Sequence, residues 1–294
     1  MNRRLIEKIL TKKHEEFLAS IKDEELRKLV DRDAIITGGS IVSLLLGEPV
    51  NDYDYYFRTK MTVLKVAEYY IKEFRELNPK IDAVPLVIDE GTRIKIRIKS
   101  AGVVAEEGAV ANVLNEEDAR STGEPPVPEK EDTKPRYRPV FISANAISLS
   151  NKVQLVVRFY GEPEEIHKNY DFIHCCNYWT ADNHILTLNP LALESILTKQ
   201  LTYQGSLYPL CSVIRMRKFL KQGWYINAGQ ILKMLFQASE LDLKDLKVLE
   251  DQLTGVDAAY FFEVIDYCKE RLAKEPDFKV TVPYLCAIID KIFG

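Results

Sequence analysis

The chain has 294 residues, and 40 basic against 44 acidic side chains give a formal net charge of −4. Hydrophobic residues make up 46% of the sequence and charged residues 29%, which excludes a disordered or fibrous chain. No apolar run approaches the ~20 residues that span a bilayer. The five cysteines have no regular spacing. We therefore expect a cytoplasmic globular protein with no membrane anchor and no disulfide framework.

The first part of the chain alternates helices and strands. Apolar residues at three- and four-residue spacing predict helices over 5–21, 24–30 and 62–77. An apolar run at 34–37 stops at Gly38-Gly39-Ser40, and helical spacing then continues up to Gly47, which predicts a strand, a glycine turn and a helix. A short helix is predicted at 164–168. Further strands are predicted over 52–57, 93–99, 140–142, 146–149, 153–159 and 170–176.

Residues 101–138 differ from their surroundings because they contain little to bury, and they predict a mobile loop inserted into the first domain. From residue 190 onward the spacing predicts helices over 190–201, 209–222, 227–238, 242–252, 257–273 and 280–293. The sequence therefore predicts an α+β domain with a mixed sheet over residues 1–188, followed by an all-helical domain over 189–294.

Three acidic residues fall on predicted strands, where acids are unfavourable unless they have a task. Asp52 and Asp54 are two residues apart, so both leave the same face of one strand, and Asp171 lies on a separate predicted strand. Like charges held together in a partly buried place destabilise a protein unless a cation neutralises them. Hard carboxylate oxygens and substrate phosphates are what Mg²⁺ accepts, and two such ions can clamp an in-line phosphoryl displacement.

The Gly38-Gly39-Ser40 turn has the chemistry of a phosphate site. Glycines let backbone amides approach a phosphate, the N-terminus of the next helix adds its positive dipole end, and the Ser40 hydroxyl can donate a further hydrogen bond. A Gly-Gly-Ser turn is by itself most often only a turn. Its position before a helix and an Asp-x-Asp strand makes a functional site the better interpretation.

In this order of motifs the sequence resembles the DNA polymerase β-like nucleotidyltransferase superfamily, which includes poly(A) polymerases and CCA-adding enzymes. The resemblance rests on Gly38-Gly39-Ser40, on Asp52-Tyr53-Asp54 and on Asp171, and covers roughly residues 31–180. It implies a polymerase β-like domain that moves a nucleoside monophosphate from an NTP to an acceptor hydroxyl and releases pyrophosphate. Asp52, Asp54 and Asp171 would hold two Mg²⁺ ions, for which Mn²⁺ could substitute, and Asp171 would assist deprotonation of the acceptor.

The helical half contains no Asp or Glu from Ser195 to Met234. One interpretation is a solvated surface with counter-charges from neighbouring elements, and the other is a triphosphate or RNA-backbone surface with aromatic residues that stack a base. The candidate nucleotide-binding residues here are Lys199, Tyr203, Arg215 and Lys218.

The preferred acceptor is the 3′ end of an RNA such as a tRNA. The alternatives are nucleotidylation of a protein or small molecule, and a non-catalytic binding module with the same fold. The sequence does not predict which NTP is used or the oligomeric state.

Overall fold

The structure is a computed structural model that describes residues 1–79, 85–89, 91, 93–97, 102–104, 136–253 and 259–293. Most of the mobile loop predicted over 101–138 lies outside these residues, but residues 102–104 form a strand of the sheet, so the predicted loop begins too early. The chain divides into two compact units: unit 1 comprises residues 1–168 and 174–198, and unit 2 comprises residues 169–173 and 199–294. The sequence-based division lies earlier, at residue 188.

Unit 1 is built from a mixed sheet and six helices within the described residues. The helices are α1 (Arg3–Ser20), α2 (Glu24–Asp33), α3 (Gly39–Leu46), α4 (Lys60–Leu77), α5 (Pro163–His167) and α6 (Pro190–Thr198). The strands are β1 (Ala34–Thr37), β2 (Tyr53–Phe57), β3 (Leu86–Asp89), β4 (Ile94–Arg97), β5 (Gly102–Val104), β6 (Pro139–Ser143), β7 (Ala146–Leu149), β8 (Val153–Tyr160), β9 (Tyr178–Thr180) and β10 (Ile185–Thr187).

Eight of these strands form one sheet in the order β10-β9-β1-β2-β8-β7-β6-β5, and β3 pairs with β4 in a separate two-stranded sheet. Strand β2 runs parallel to β8, whereas the other pairs in the large sheet are antiparallel. The register aligns one continuous row of core residues across seven strands, and all of its members are 0% exposed: Ile142, Ile147, Leu155, Tyr55, Ile36, Trp179 and Leu186.

Helices α1, α2 and α4 contribute apolar side chains to the same core, including Leu10, Val30 and Phe74. Because successive residues of a strand face opposite sides of a sheet, the residues next to this apolar row point away from this core. The fold therefore leaves a second row of side chains on the opposite face of the sheet.

Side-chain caps fix where several helices begin. Asp23 accepts a hydrogen bond from the Leu26 amide at the start of α2, and Thr59 does the same for Thr62 at the start of α4. Helix α3 ends at Gly47, whose φ of +75° is the left-handed conformation that glycine adopts without strain.

Unit 2 is helical in its described residues. Its helices are α7 (Pro209–Lys221), α8 (Ala228–Ser239), α9 (Leu246–Leu253), α10 (Ala259–Lys274) and α11 (Val282–Phe293). Two small apolar clusters hold α9, α10 and α11 together, one around Ile265 and the other around Cys268. No helix among the described residues of either unit is long and apolar enough to cross a bilayer.

The predicted fold class, an α+β part with a mixed sheet followed by a helical part, is confirmed. The strand predicted over 170–176 is wrong. Phe172 makes a single bridge with Tyr203, and Ile173–Cys175 form a 3₁₀ turn. The amide of Ile173 donates to the Thr202 carbonyl, so this segment is bonded to a loop instead of to the sheet.

Candidate active site

A row of polar side chains crosses the sheet directly beside the apolar row. In order across six strands, the register aligns Ser148, Gln154, Asp54, Thr37, Tyr178 and Thr187. Cross-strand partners share one face of a sheet, so these six residues lie on the face opposite the core row. The polar row thus marks the face of the large sheet that lies opposite the core.

The glycine turn starts immediately after Thr37 in this row. Gly38 has a φ of +84°, which glycine adopts without strain, and its amide donates to the Cys175 carbonyl at 3.2 Å. Helix α3 then begins at Gly39 with no side-chain cap. Its first amides are therefore available to an anion, as they are in phosphate sites at helix N-termini.

Ser40 supports the same interpretation. Its side chain is only 2% exposed, and its hydroxyl has no hydrogen-bond partner among the described residues. A buried hydroxyl without a partner costs free energy, which a protein tolerates where a ligand supplies the bond. Gly39 is exposed, and no described atom lies within 4 Å of the position that a Cβ would take there.

The Asp-x-Asp motif lies at the start of the strand that pairs with β1. Asp54 is the cross-strand partner of Thr37, so the start of β2 adjoins the end of β1 and the turn that follows it. Asp54 is half-buried, whereas Asp52 precedes the strand and is exposed. The structure therefore brings together the glycine turn and the Asp-x-Asp motif that the sequence predicts to act together.

A histidine that was not selected as a site residue from the sequence contacts Thr37 in this row. The Thr37 hydroxyl donates its one hydrogen to the Asn177 carbonyl at 2.8 Å, and its oxygen lies 2.8 Å from Nε2 of His167. With its proton on Nε2, His167 can donate to this oxygen while Thr37 keeps its bond to Asn177. Burial lowers the pKa of His167 to about 4, against the attraction of Glu164, so the ring is neutral near pH 7.

The donor set suits a magnesium ion bound with a phosphate. Asp52 and Asp54 provide hard carboxylate oxygens, and Ser40 provides a buried hydroxyl next to the α3 amides. Among the described residues, no three His, Cys, Asp or Glu side chains are grouped so that they could hold a metal ion.

Asp171 belongs to unit 2 and has a strong partner there. Its side chain is 8% exposed, and Oδ2 accepts a hydrogen bond from Nη1 of Arg215 at 2.6 Å. Oδ1 accepts from the Phe172 amide at 3.1 Å. The structure thus pairs two residues that the sequence assigned to different roles, and their catalytic and nucleotide-binding roles stay predictions.

The other predicted nucleotide-binding residues also lie in unit 2. Tyr203 is 4% exposed and donates its hydroxyl hydrogen to Gln237. The Lys199 ammonium lies 5.2 Å from the centre of the Trp224 ring, a cation–π distance. Lys218 is exposed on α7. Their contacts to a nucleotide stay predictions.

A family model described as "Gabija anti-defense 2 family protein" matches residues 8–199, which is most of unit 1. No curated protein matches the chain.

Solved structures of tRNA-processing enzymes share similarity with the chain at low identity. The Thermotoga maritima CCA-adding enzyme with tRNA is 13% identical, with a TM-score of 0.38, and the match covers 77% of this chain and 45% of the enzyme. The Bacillus stearothermophilus CCA-adding enzyme with CTP is 15% identical, with a TM-score of 0.36, over 81% of this chain and 48% of the enzyme. The chain thus spans about half the length of these enzymes.

Proposed function

The chain belongs to the Gabija anti-defense 2 family, whose description names no reaction, and from the geometry of unit 1 we propose that it is a magnesium-dependent nucleotidyltransferase. It moves a nucleoside monophosphate from an NTP to an acceptor hydroxyl and releases pyrophosphate. The observation that carries this proposal is the uncapped N-terminus of α3 with the buried Ser40 hydroxyl, which has no partner among the described residues. This turn directly follows Thr37, the cross-strand partner of Asp54.

Each part of the site has a separate task in this reaction. The α3 amides and the Ser40 hydroxyl bind the triphosphate, because both are donors directed at an anion. Asp52 and Asp54 hold Mg²⁺, which when bound would neutralise the phosphate charges and stabilise the attacking and leaving oxygens. The His167–Thr37 hydrogen bond positions the end of β1 and therefore the turn. Asp171 is assigned the deprotonation of the acceptor only by the sequence resemblance.

The preferred acceptor is the 3′ end of an RNA. The support for it is the surface of α7, where Arg217, Lys218 and Lys221 are exposed within a segment of forty residues that lacks any acid. Lysine and arginine side chains that neutralise RNA phosphates bind with strong salt dependence and little sequence preference.

A protein acceptor is the second candidate, and the family description favours it. A protein that acts against a defence can do so by attaching a nucleotide to a hydroxyl of a component of that defence. Nucleotidylation of a small molecule and a non-catalytic binding role are the remaining alternatives. These alternatives predict no dependence on RNA.

The test is label transfer from each α-³²P-labelled NTP in turn, with Mg²⁺ and either total RNA or a protein extract. The control is the Asp52→Asn, Asp54→Asn double variant, which keeps the side-chain shapes and removes the two charges. We expect label in an RNA band with the wild type only. Label in a protein band would replace the RNA acceptor with the protein acceptor. Equal labelling by wild type and variant would contradict the proposed site.

A further inference from the structure

The geometry points to Gln154 as the third oxygen donor of the metal-holding set, which would make this a site of two carboxylates and one neutral amide. This inference rests on the proposed function and adds to it a residue that the sequence motifs do not include. Gln154 takes the metal-holding place that the sequence assigned to Asp171.

The sheet register places Gln154 beside Asp54. Strand β8 runs parallel to β2, and Gln154 is the direct partner of Asp54, on the same face and about 5 Å away across the sheet. Its side chain is half-buried. Within the described part of the chain its side-chain amide makes no hydrogen bond, so the side-chain oxygen is available to a ligand.

The other neighbour of Asp54 is less accessible to an ion. Thr37 adjoins Asp54 on the β1 side, but it is 0% exposed, and its hydroxyl lies 2.8 Å from both the Asn177 carbonyl and Nε2 of His167. No three described acids, histidines or cysteines form a metal-binding group. An amide oxygen is a ligand that Mg²⁺ accepts, and Gln154 is the residue of the polar row that presents one next to Asp54.

A neutral third donor makes the affinity for Mg²⁺ depend on the bound nucleotide. Two carboxylates give the site a formal charge of −2, where three would give −3, so the protein alone attracts Mg²⁺ less strongly. The triphosphate then supplies the remaining charge, and the ion binds tightly only together with the nucleotide. We expect Gln154→Glu to remove this dependence of metal binding on the nucleotide.

The experiment measures the affinity for Mn²⁺ by electron paramagnetic resonance, with and without a non-hydrolysable NTP analogue. It compares wild type, Gln154→Glu, Gln154→Leu and Asp54→Asn. Ser148→Ala is the matched control, because Ser148 adjoins Gln154 in the same row on the side away from Asp54. Thermal unfolding of each variant checks the fold, and Gln154→Glu preserves the side-chain size if the leucine variant is unstable.

We expect Gln154→Glu to tighten Mn²⁺ binding without nucleotide at least tenfold. Gln154→Leu should weaken binding with nucleotide by about tenfold, and Ser148→Ala should change neither. If Asp54→Asn abolishes binding while both Gln154 variants bind like wild type, the assignment of Gln154 is overturned and the proposed function stands. If Asp54→Asn also binds like wild type, the proposed site itself is wrong.

Discussion

At the scale of single residues, Ser40→Ala tests whether the Ser40 hydroxyl serves nucleotide binding or the stability of the fold. It is buried without a partner in the described chain, so Ser40→Ala removes an uncompensated polar group. We expect the free energy of unfolding of the ligand-free protein to stay equal or to rise by up to about 1 kcal/mol. Affinity for Mg²⁺–NTP should fall about tenfold because the variant loses a donor to the phosphate.

Urea unfolding and a nucleotide titration of the same preparations measure both quantities. A variant that loses stability and keeps its nucleotide affinity would show that Ser40 is a packing residue.

The buried histidine of α1 makes stability depend on pH. His14 is 0% exposed and packs against the rings of Tyr55 and Trp179. Burial outweighs the attraction of Asp31 and lowers the pKa of His14 from 6.5 to about 4. The unfolded chain therefore gains a proton below pH 6.5 that the folded chain gains only near pH 4. Stability is full above pH 6.5 and falls through this window by about 1.4 kcal/mol per pH unit.

Replacing His14 with leucine tests this linkage. We expect His14→Leu to lose about 2 kcal/mol less stability than wild type between pH 7 and pH 5. His167, whose pKa is also lowered to about 4, keeps its own share of the pH dependence in the variant. Urea unfolding at the two pH values gives the difference. Equal pH dependence of variant and wild type would show that His14 is not the titrating group.

At the scale of elements, one buried carboxylate joins α2 to the start of α4. Asp33 is 2% exposed, and its oxygens accept hydrogen bonds from Arg32 at 2.6 and 2.8 Å, from Thr59 at 2.7 Å and from Thr62 at 2.5 Å. We expect Asp33→Asn to lower the free energy of unfolding by about 3 kcal/mol, because one amide cannot accept all these bonds.

The matched control is Asp23→Asn at the exposed N-cap of α2, which should change stability by less than about 0.5 kcal/mol because asparagine caps as well as aspartate. Urea unfolding measures both variants. Similar losses in the two would show that the buried network adds nothing beyond capping.

The sequence was enough to predict those elements whose ends are set by neighbouring residues, such as a glycine. The strand at 34–37 was predicted at its observed bounds, and Gly47 ends α3 as expected. Strands β9 and β10 were not predicted, because three residues are too few to show an alternation. The strand expected over 170–176 was wrong because tertiary bonds to a distant loop outweigh its apolar composition.

In the candidate site, too, the residues that are close together in sequence were predicted and the distant ones were not. The glycine turn and the Asp-x-Asp motif are close in sequence, so their order alone indicates that they act together. Gln154 and His167 were not selected, because only the register of β8 on β2 and the hydrogen bond to Thr37 show that they adjoin this site. Both contacts link residues at least a hundred positions apart, and residue spacing carries no information about them.

At the scale of the whole molecule, charge is distributed unevenly along the chain. The chain is slightly acidic overall, yet residues 195–234 contain no acid. If α7 binds RNA, the Lys218→Ala, Lys221→Ala variant should bind RNA more weakly, with the slope of log affinity against log salt reduced by about 1 to 2.

The control is the Lys244→Ala, Lys247→Ala variant, whose two lysines are also exposed but lie among acids. Filter binding at several salt concentrations gives the slopes. An equal loss in both variants, or no loss in either, would contradict an RNA-binding role of α7.

If this chain transfers a nucleotide and not a phosphate, the position of the label in the NTP decides whether it reaches the acceptor. The most direct measurement incubates the protein with Mg²⁺, the acceptor fraction and one NTP labelled either at the α- or at the γ-phosphate. We expect that α-label moves to the acceptor, that γ-label leaves in pyrophosphate, and that the Asp52→Asn, Asp54→Asn variant does neither. Label from the γ-phosphate on the acceptor, or transfer that persists in the variant, would contradict nucleotide transfer at the proposed site.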